Sequence, residues 1–171
     1  MRQFPVPGPN PMAHGNTNLL ANQNIPEKSK IDWCAFSVDL SRMGRNVFSA
    51  EDYGDPVVSP TLLSPGTKVV KVGRTTGRQY GTVNGAIVQG WDDGHSTVEI
   101  GVIGHANGVF ADSGDSGSLC VLEDKQGDLH AAGLVVDKHA ELKLAIVTPM
   151  WALLEDVSRE LGESVGFWEG R

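Results

Sequence analysis

The spacing of apolar positions divides the chain into three stretches. Residues 1–30 are rich in Pro, Asn, Gln and Gly and show no hydrophobic period; only Leu19 and Leu20 look core-forming, so an irregular segment is expected. From Ile31 to Leu40 the apolar residues Trp33, Ala35, Phe36 and Val38 partly alternate, which predicts a strand. Ser41 to Pro65, punctuated by Gly44, Gly54, Pro56, Pro60 and Pro65, reads as a long connector. A loop of that length inside a compact domain usually serves a function or joins subdomains.

Beyond Pro65 short β-branched runs take over. They cover Lys68–Val72, Tyr80–Val88, Ser96–Ile103, Gly117–Leu122, Leu129–Val136 and Leu142–Val147. Turn-forming pairs separate them at Thr76-Gly77, Asp93-Gly94, Asn107-Gly108 and Gln126-Gly127. Six short strands so spaced predict an antiparallel barrel or sandwich. After Pro149 the period changes: Trp151, Leu153, Leu154, Val157 and Leu161 recur at helical spacing, and Gly162 supplies a stop.

Composition narrows the class. The chain has 171 residues, 40% of them hydrophobic and 20% charged, which suits a globular domain able to bury a core without metals or disulfides. A formal net charge of −7 with no basic run argues against nucleic acid or an anionic membrane as partner. The apolar runs are too short for a membrane-spanning helix, and the N-terminal prolines Pro5, Pro7 and Pro9 interrupt any signal-peptide core; an intracellular protein is the expectation. Cys34 and Cys120 sit far apart in apolar surroundings and read as free buried thiols. No Cys/His spacing suits zinc, and neither a metal nor a cofactor is expected. Lys68, Lys71, Arg74 and Arg78 read as the solvated face of a strand and its turn.

The densest chemistry lies in Ser113-Gly114-Asp115-Ser116-Gly117-Ser118. A serine nucleophile needs backbone N–H donors aimed at the developing oxyanion. Gly114, two residues before Ser116, lets the chain turn so that both N–H groups face one point, while Gly117 keeps the approach open. The tetrapeptide alone is a weak signal; its surroundings add weight. An apolar strand, a polar hairpin from Glu123 to Asp128 and a second apolar strand with Ala132-Gly133-Leu134-Val135-Val136 follow it, and Val72-Gly73-Arg74-Thr75-Thr76-Gly77 leads into Tyr80-Gly81-Thr82-Val83 upstream.

In this combination and order, residues 31 to 162 resemble chymotrypsin-fold serine peptidases, in particular the small trypsin-like domains of fungi and bacteria. The resemblance implies an all-β fold: a chymotrypsin-like antiparallel barrel, the second of two, complete, with a partial first barrel and a C-terminal helix. Residues 31–162 would then be the C-terminal portion of a trypsin-like serine protease domain, with 1–30 an irregular or disordered N-terminal segment and 163–171 a tail. It further implies Ser116 as nucleophile, the N–H groups of Gly114 and Ser116 as oxyanion hole, and a polypeptide as substrate or ligand. Ile31-Asp32-Trp33-Cys34-Ala35-Phe36 matches the context of the family's catalytic aspartate, making Asp32 the residue that would orient a histidine.

The family's histidine precedes that aspartate, and His14 alone does so here, without the small-residue run usual around it. His95, His105, His130 and His139 follow Asp32 and read as surface or loop residues. Two functions therefore stand side by side: a serine endopeptidase, weak as this chain alone, or a protease-like binding module lacking its general base. No Ile/Val-Val-Gly-Gly activation sequence is present, so Asp115 is not expected to pair with a processed N-terminal amine. The substrate pocket implied by the family comprises Phe110, six residues before Ser116, with Val136 and Asp137. An apolar residue at Phe110 predicts preference for small or apolar over basic side chains, because a basic side chain brought into a desolvated slot without a counter-charge is disfavoured.

Overall fold

A computed structural model of the chain describes residues 13–14, 28–29, 31, 33, 39, 41, 47–49, 53–92, 95–106 and 108–167. Two short strands, β1 (Ala13–His14) and β2 (Lys28–Ser29), pair antiparallel. They are followed by β3 (Val47–Ser49), β4 (Tyr53–Pro60), β5 (Lys68–Gly73), β6 (Gly77–Asp92) and β7 (His95–Gly104). Next come β8 (Leu119–Glu123), β9 (Leu129–His139), β10 (Leu144–Pro149) and the helix α1 (Met150–Leu161).

Strands β5 to β10 close into a six-stranded antiparallel barrel. Around the ring, β5 pairs β6, β6 pairs β7, β7 pairs β10, β10 pairs β9, β9 pairs β8, and β8 returns to β5. Closure removes the open edges that a six-stranded sheet would otherwise present. Strand alternation fills the interior: Val69, Val83, Val102, Cys120, Ala132, Val135, Ala145 and Val147 form one buried cluster with Phe110 and Ala111 from the β7–β8 connection. Phe110 fits because Gly81 has no side chain; a Cβ there would lie 2.7 Å from the Phe110 ring.

The helix α1 covers the outside of β8 and β9. Met150 packs with Val121, Leu129 and Ala131, flanked by Leu119, Leu134, Leu153 and Leu154. Pro149 fixes the extended residue before the helix, and Gly162 ends it in the left-handed region (φ 70°), donating its N–H to the Ser158 carbonyl. Ala152 also buries Ile31, with Trp33, Trp151 and Leu153 around them. The Trp33 indole Nε1 donates to Asp156 Oδ2 at 2.9 Å, and Arg159 closes the other side of that buried carboxylate. The helix thus anchors the residues on both sides of Asp32.

Three expectations change. Of the strand predicted over 31–40, the described residues Ile31, Trp33 and Asp39 lie outside any strand; Ile31 and Trp33 owe their apolar character to α1. The connector predicted for 41–65 contains β3 and β4. β4 pairs parallel to β9 and antiparallel to β3 with register shifts in both ladders, and this irregular pairing accommodates Pro56 and Pro60. Lys71 does not belong to a solvated face: it is fully buried.

Cys120 carries a free thiol with no exposed surface, while Cys34 lies outside the described residues. Burial pushes the Cys120 thiol up to about 12, against an opposing pull from the nearby Lys71 charge. Native protein treated with iodoacetamide near neutral pH is therefore expected to keep Cys120 unmodified, with alkylation appearing only on denaturation. Rapid native alkylation at Cys120 would contradict this packing.

Candidate active site

The segment between β7 and β8 leaves the barrel core at Ala111 and turns twice before β8 begins. Its geometry is set by one side chain. The Asp115 carboxylate is fully buried and accepts hydrogen bonds at both oxygens. Oδ1 takes the backbone N–H of Thr75 at 2.7 Å and of Thr76 at 3.2 Å. Oδ2 takes Lys71 Nζ at 2.7 Å, Thr76 Oγ1 at 2.7 Å and the Asp112 backbone N–H at 3.0 Å. Lys71 also donates to Thr76 Oγ1, so ammonium, hydroxyl and carboxylate form a closed triangle.

Lys71 reaches this point because β5 alternates. Val69 and Lys71 face inward while Lys68 and Val72 are exposed, and Lys71 sits opposite Cys120 in the β5–β8 ladder. Gly73 leaves room for the contact: a Cβ there would lie 2.4 Å from both Asp115 Oδ1 and Lys71 Nζ. Burial alone would push the Asp115 carboxyl up. The hydrogen bonds from Lys71, Thr76, Asp112 and Thr75 outweigh it and hold the group well below the usual carboxylate range.

With Asp115 fixed, the neighbouring N–H groups divide. Asp112 donates to Asp115 Oδ2 and Ser113 to Asp112 Oδ1 at 2.6 Å. Asp115 donates to the Asp112 carbonyl at 3.0 Å, Gly117 to Val135 at 2.8 Å and Ser118 to Asp115 at 2.9 Å. The N–H groups of Gly114 and Ser116 have no acceptor among the described residues. Both residues are exposed. Gly114 adopts φ 96° and Gly117 φ 83°, conformations that side chains disfavour. A Cβ on Gly114 would also fall 2.5 Å from Thr75 Oγ1 and 3.1 Å from an Arg74 guanidinium nitrogen. Thr75 Oγ1 donates to the Ser113 carbonyl at 2.8 Å, a second tie between this loop and the β5–β6 turn. The arrangement leaves Ser116 exposed, with its own N–H and that of Gly114 unengaged among the described residues.

Among the residues singled out from sequence, the structure brings Ser116 and Val136 together: Ser116 Oγ donates to the Val136 carbonyl at 3.4 Å. That separation exceeds the ~2.5–3.0 Å of a well-formed hydroxyl bond, so the hydroxyl is only lightly held. Asp137 is exposed beside Val136. Phe110, expected at the floor of a pocket, is 1% exposed and belongs to the barrel core. Asp32 lies outside the described residues, and His14 is placed in β1 by its backbone.

The imidazoles of His105, His130 and His139 are bonded to groups other than Ser116. His105 Nε2 meets Thr82 Oγ1 at 2.8 Å, His130 Nε2 meets Asp124 Oδ2 at 2.9 Å, and His139 Nδ1 accepts the Leu142 N–H. His95 is placed in β7 by its backbone. Asp112, four residues before Ser116, is paired with Lys138 on β9. Hydrogen bonding from Lys138, then from the Ser113 N–H, lowers the Asp112 carboxyl. No group of three or more candidate metal-ligating side chains occurs among the described residues.

Sequence reasoning missed Lys71 and Lys138. For Lys71 a signal was present. Lys68 and Lys71 stand an odd number of positions apart, so a strand with a side-chain period of two cannot place both on its outer face.

The structure shows a closed six-stranded antiparallel barrel with a Gly-Asp-Ser-Gly turn at its surface. The family model described as "Peptidase family S64" matches residues 23–160, most of the chain. The chain belongs to peptidase family S64, a family of serine peptidases.

Because Asp115 is held below its ordinary range, its stabilising contribution is complete above the unfolded carboxylate value near 3.8. It is lost only as pH falls through the still lower folded value. The amide resonances of Asp115 and Gly117 are expected to keep their native positions from pH 7 to pH 4. Coincident loss of those resonances above pH 4, with the barrel still folded, would contradict the carboxylate's role. Gly73→Ala, which drives a methyl into the ion pair, is expected to cost about 3 kcal/mol or more in a urea titration, the scale of a broken buried pair.

Proposed function

We propose that the chain is a serine endopeptidase-like protein of chymotrypsin type, the β5–β10 barrel corresponding to the second barrel of that fold, with Ser116 as its nucleophile. The observation that carries this reading is the split among backbone donors: the N–H groups around Gly114 and Ser116 are tied down, and those two are left open beside the hydroxyl. Ser116 Oγ attacks the peptide carbonyl carbon, and its proton passes to a histidine base. The carbonyl oxygen, now an oxyanion, accepts the Gly114 and Ser116 N–H groups. The C–N bond then breaks as the departing amine takes the proton, leaving an acyl-enzyme on Ser116 that water hydrolyses. By resemblance Asp32 is the orienting carboxylate; His14, the one histidine that precedes it, is the candidate base, without the small-residue run usual around the family's histidine. The substrate is a polypeptide, and we extend the expectation of an intracellular setting without nucleic-acid or membrane partners.

A second reading keeps the cleft without the chemistry. It draws on His105, His130 and His139, each of which is bonded to a group other than Ser116, and makes the protein a peptide-binding module. A fluorophosphonate probe separates the two. The peptidase reading expects slow labelling confined to Ser116, abolished by Ser116→Ala and slowed further by His14→Ala. The binding-module reading expects none, and labelling at any other serine overturns the assignment.

The pocket reading also gains an argument. The two acids of the loop, Asp112 and Asp115, already hold Lys138 and Lys71, so neither is free to take a basic side chain. In a peptide library, cleavage is expected after small or apolar residues; a profile dominated by Arg or Lys would refute this.

A further inference from the structure

We infer that Lys71 is the positioning residue of the serine site: its ammonium, delivered from inside the barrel, holds Asp115 and so sets the loop that exposes the Gly114 and Ser116 N–H groups. A loop pinned in this way needs no amine from a chain terminus, and its donor geometry is complete once the barrel has closed.

Four observations converge on this assignment. Lys71 and Asp115 are both fully buried and 2.7 Å apart, so neither has water as an alternative partner. Lys71 is part of a regular strand with neighbours on both sides; the barrel fixes its position before the loop is considered. Thr76 joins the two by accepting from Lys71 and donating to Asp115. Gly73 has no side chain where any Cβ would strike both charged groups. The surrounding charged and titratable groups are also accounted for: Cys120 faces Lys71 across the ladder, Asp112 is paired with Lys138, and Arg74 lies beside Gly114.

Desolvating two charges gains little stability over an apolar filling of the same volume. A pair retained at this position is better explained by the geometry it imposes on residues 112–117. Asp115 converts a barrel-fixed charge into loop shape through the Thr75, Thr76 and Asp112 N–H groups. Lys71 touches neither substrate nor Ser116, and acts through Asp115.

The inference rests on the peptidase reading for its effect on rate, but its structural part can be tested without catalysis. Three variants serve: Lys71→Met, which leaves Asp115 unpaired; Lys71→Met with Asp115→Asn, which removes both charges so that folding survives; and Lys71→Ala, which leaves space for an added amine. Two readouts are taken on each: the backbone amide spectrum of residues 112–117, and the fluorophosphonate reaction of Ser116 as a function of probe concentration. We expect the double variant to unfold thermally within a few degrees of the parent while the Gly114–Gly117 amides shift or broaden. The limiting labelling rate should fall by ~10²-fold, the scale of losing an oxyanion donor, with little change in half-saturating probe concentration. Ethylammonium, but not potassium at equal ionic strength, should partly restore both readouts in a Lys71→Ala variant. N-terminal acetylation of the parent should change neither.

Unshifted 112–117 amides in the folded double variant would overturn the inference, as would loss of the parent loop signals on acetylation. If the parent itself is not labelled, the peptidase reading fails, and the amide spectra alone decide the role of Lys71.

Discussion

The buried contact between Lys71 and Asp115 is the constraint on which the serine site depends. An isolated charge at either position would cost several kcal/mol, so each group requires the other, and both require the barrel that surrounds them. Asp115 satisfies the remainder of its hydrogen-bonding capacity with three backbone N–H groups and one hydroxyl. Every one of those donors belongs to the β5–β6 turn or to the loop itself. A single side-chain pair thereby couples the closed β-sheet to residues 112–117, the loop on which the proposed chemistry rests. The outward face of that loop is left with an exposed serine and two N–H donors that have no acceptor among the described residues.

Packing supports the same division between a fixed interior and an open surface. Phe110 seals the barrel immediately before the loop starts, and Cys120 is buried immediately after it ends, so both stems are immobilised. The hydrogen bonds from Gly117 to Val135 and from Val135 to Ser118 dock the far side of the turn onto β9. On the opposite flank, α1 gathers Ile31 and Trp33 through apolar burial and the Trp33–Asp156 hydrogen bond. In the proposed mechanism that contact supports the backbone on either side of Asp32.

The six barrel strands and the helix were legible because their local signals agree with their tertiary setting. β-Branched runs are bounded by Gly-containing turns, and the change to helical spacing falls at Pro149. The Gly-Asp-Ser-Gly turn was legible as well, since its glycines occupy φ values that only glycine adopts readily. β4 was not, because its prolines argue against a strand and only irregular pairing with β9 and β3 admits them. Lys71 was misread by composition, although the parity of Lys68 and Lys71 carried the contrary information. Phe110 was assigned by its offset from Ser116, and an offset cannot tell a pocket floor from the core residue beneath it. The pairing of Asp112 with Lys138 spans two elements, and no local pattern in the chain announces it.

The account turns on where a tetrahedral oxyanion would sit. A crystal structure of the protein with a peptidyl boronic acid carrying a small apolar terminal side chain measures this directly. The account predicts a covalent bond from Ser116 Oγ to boron, with one boronate oxygen within ~3 Å of both the Gly114 and Ser116 nitrogens. Boron bonded to another residue would contradict the account, as would an adduct on Ser116 whose oxygens all point away from those two N–H groups.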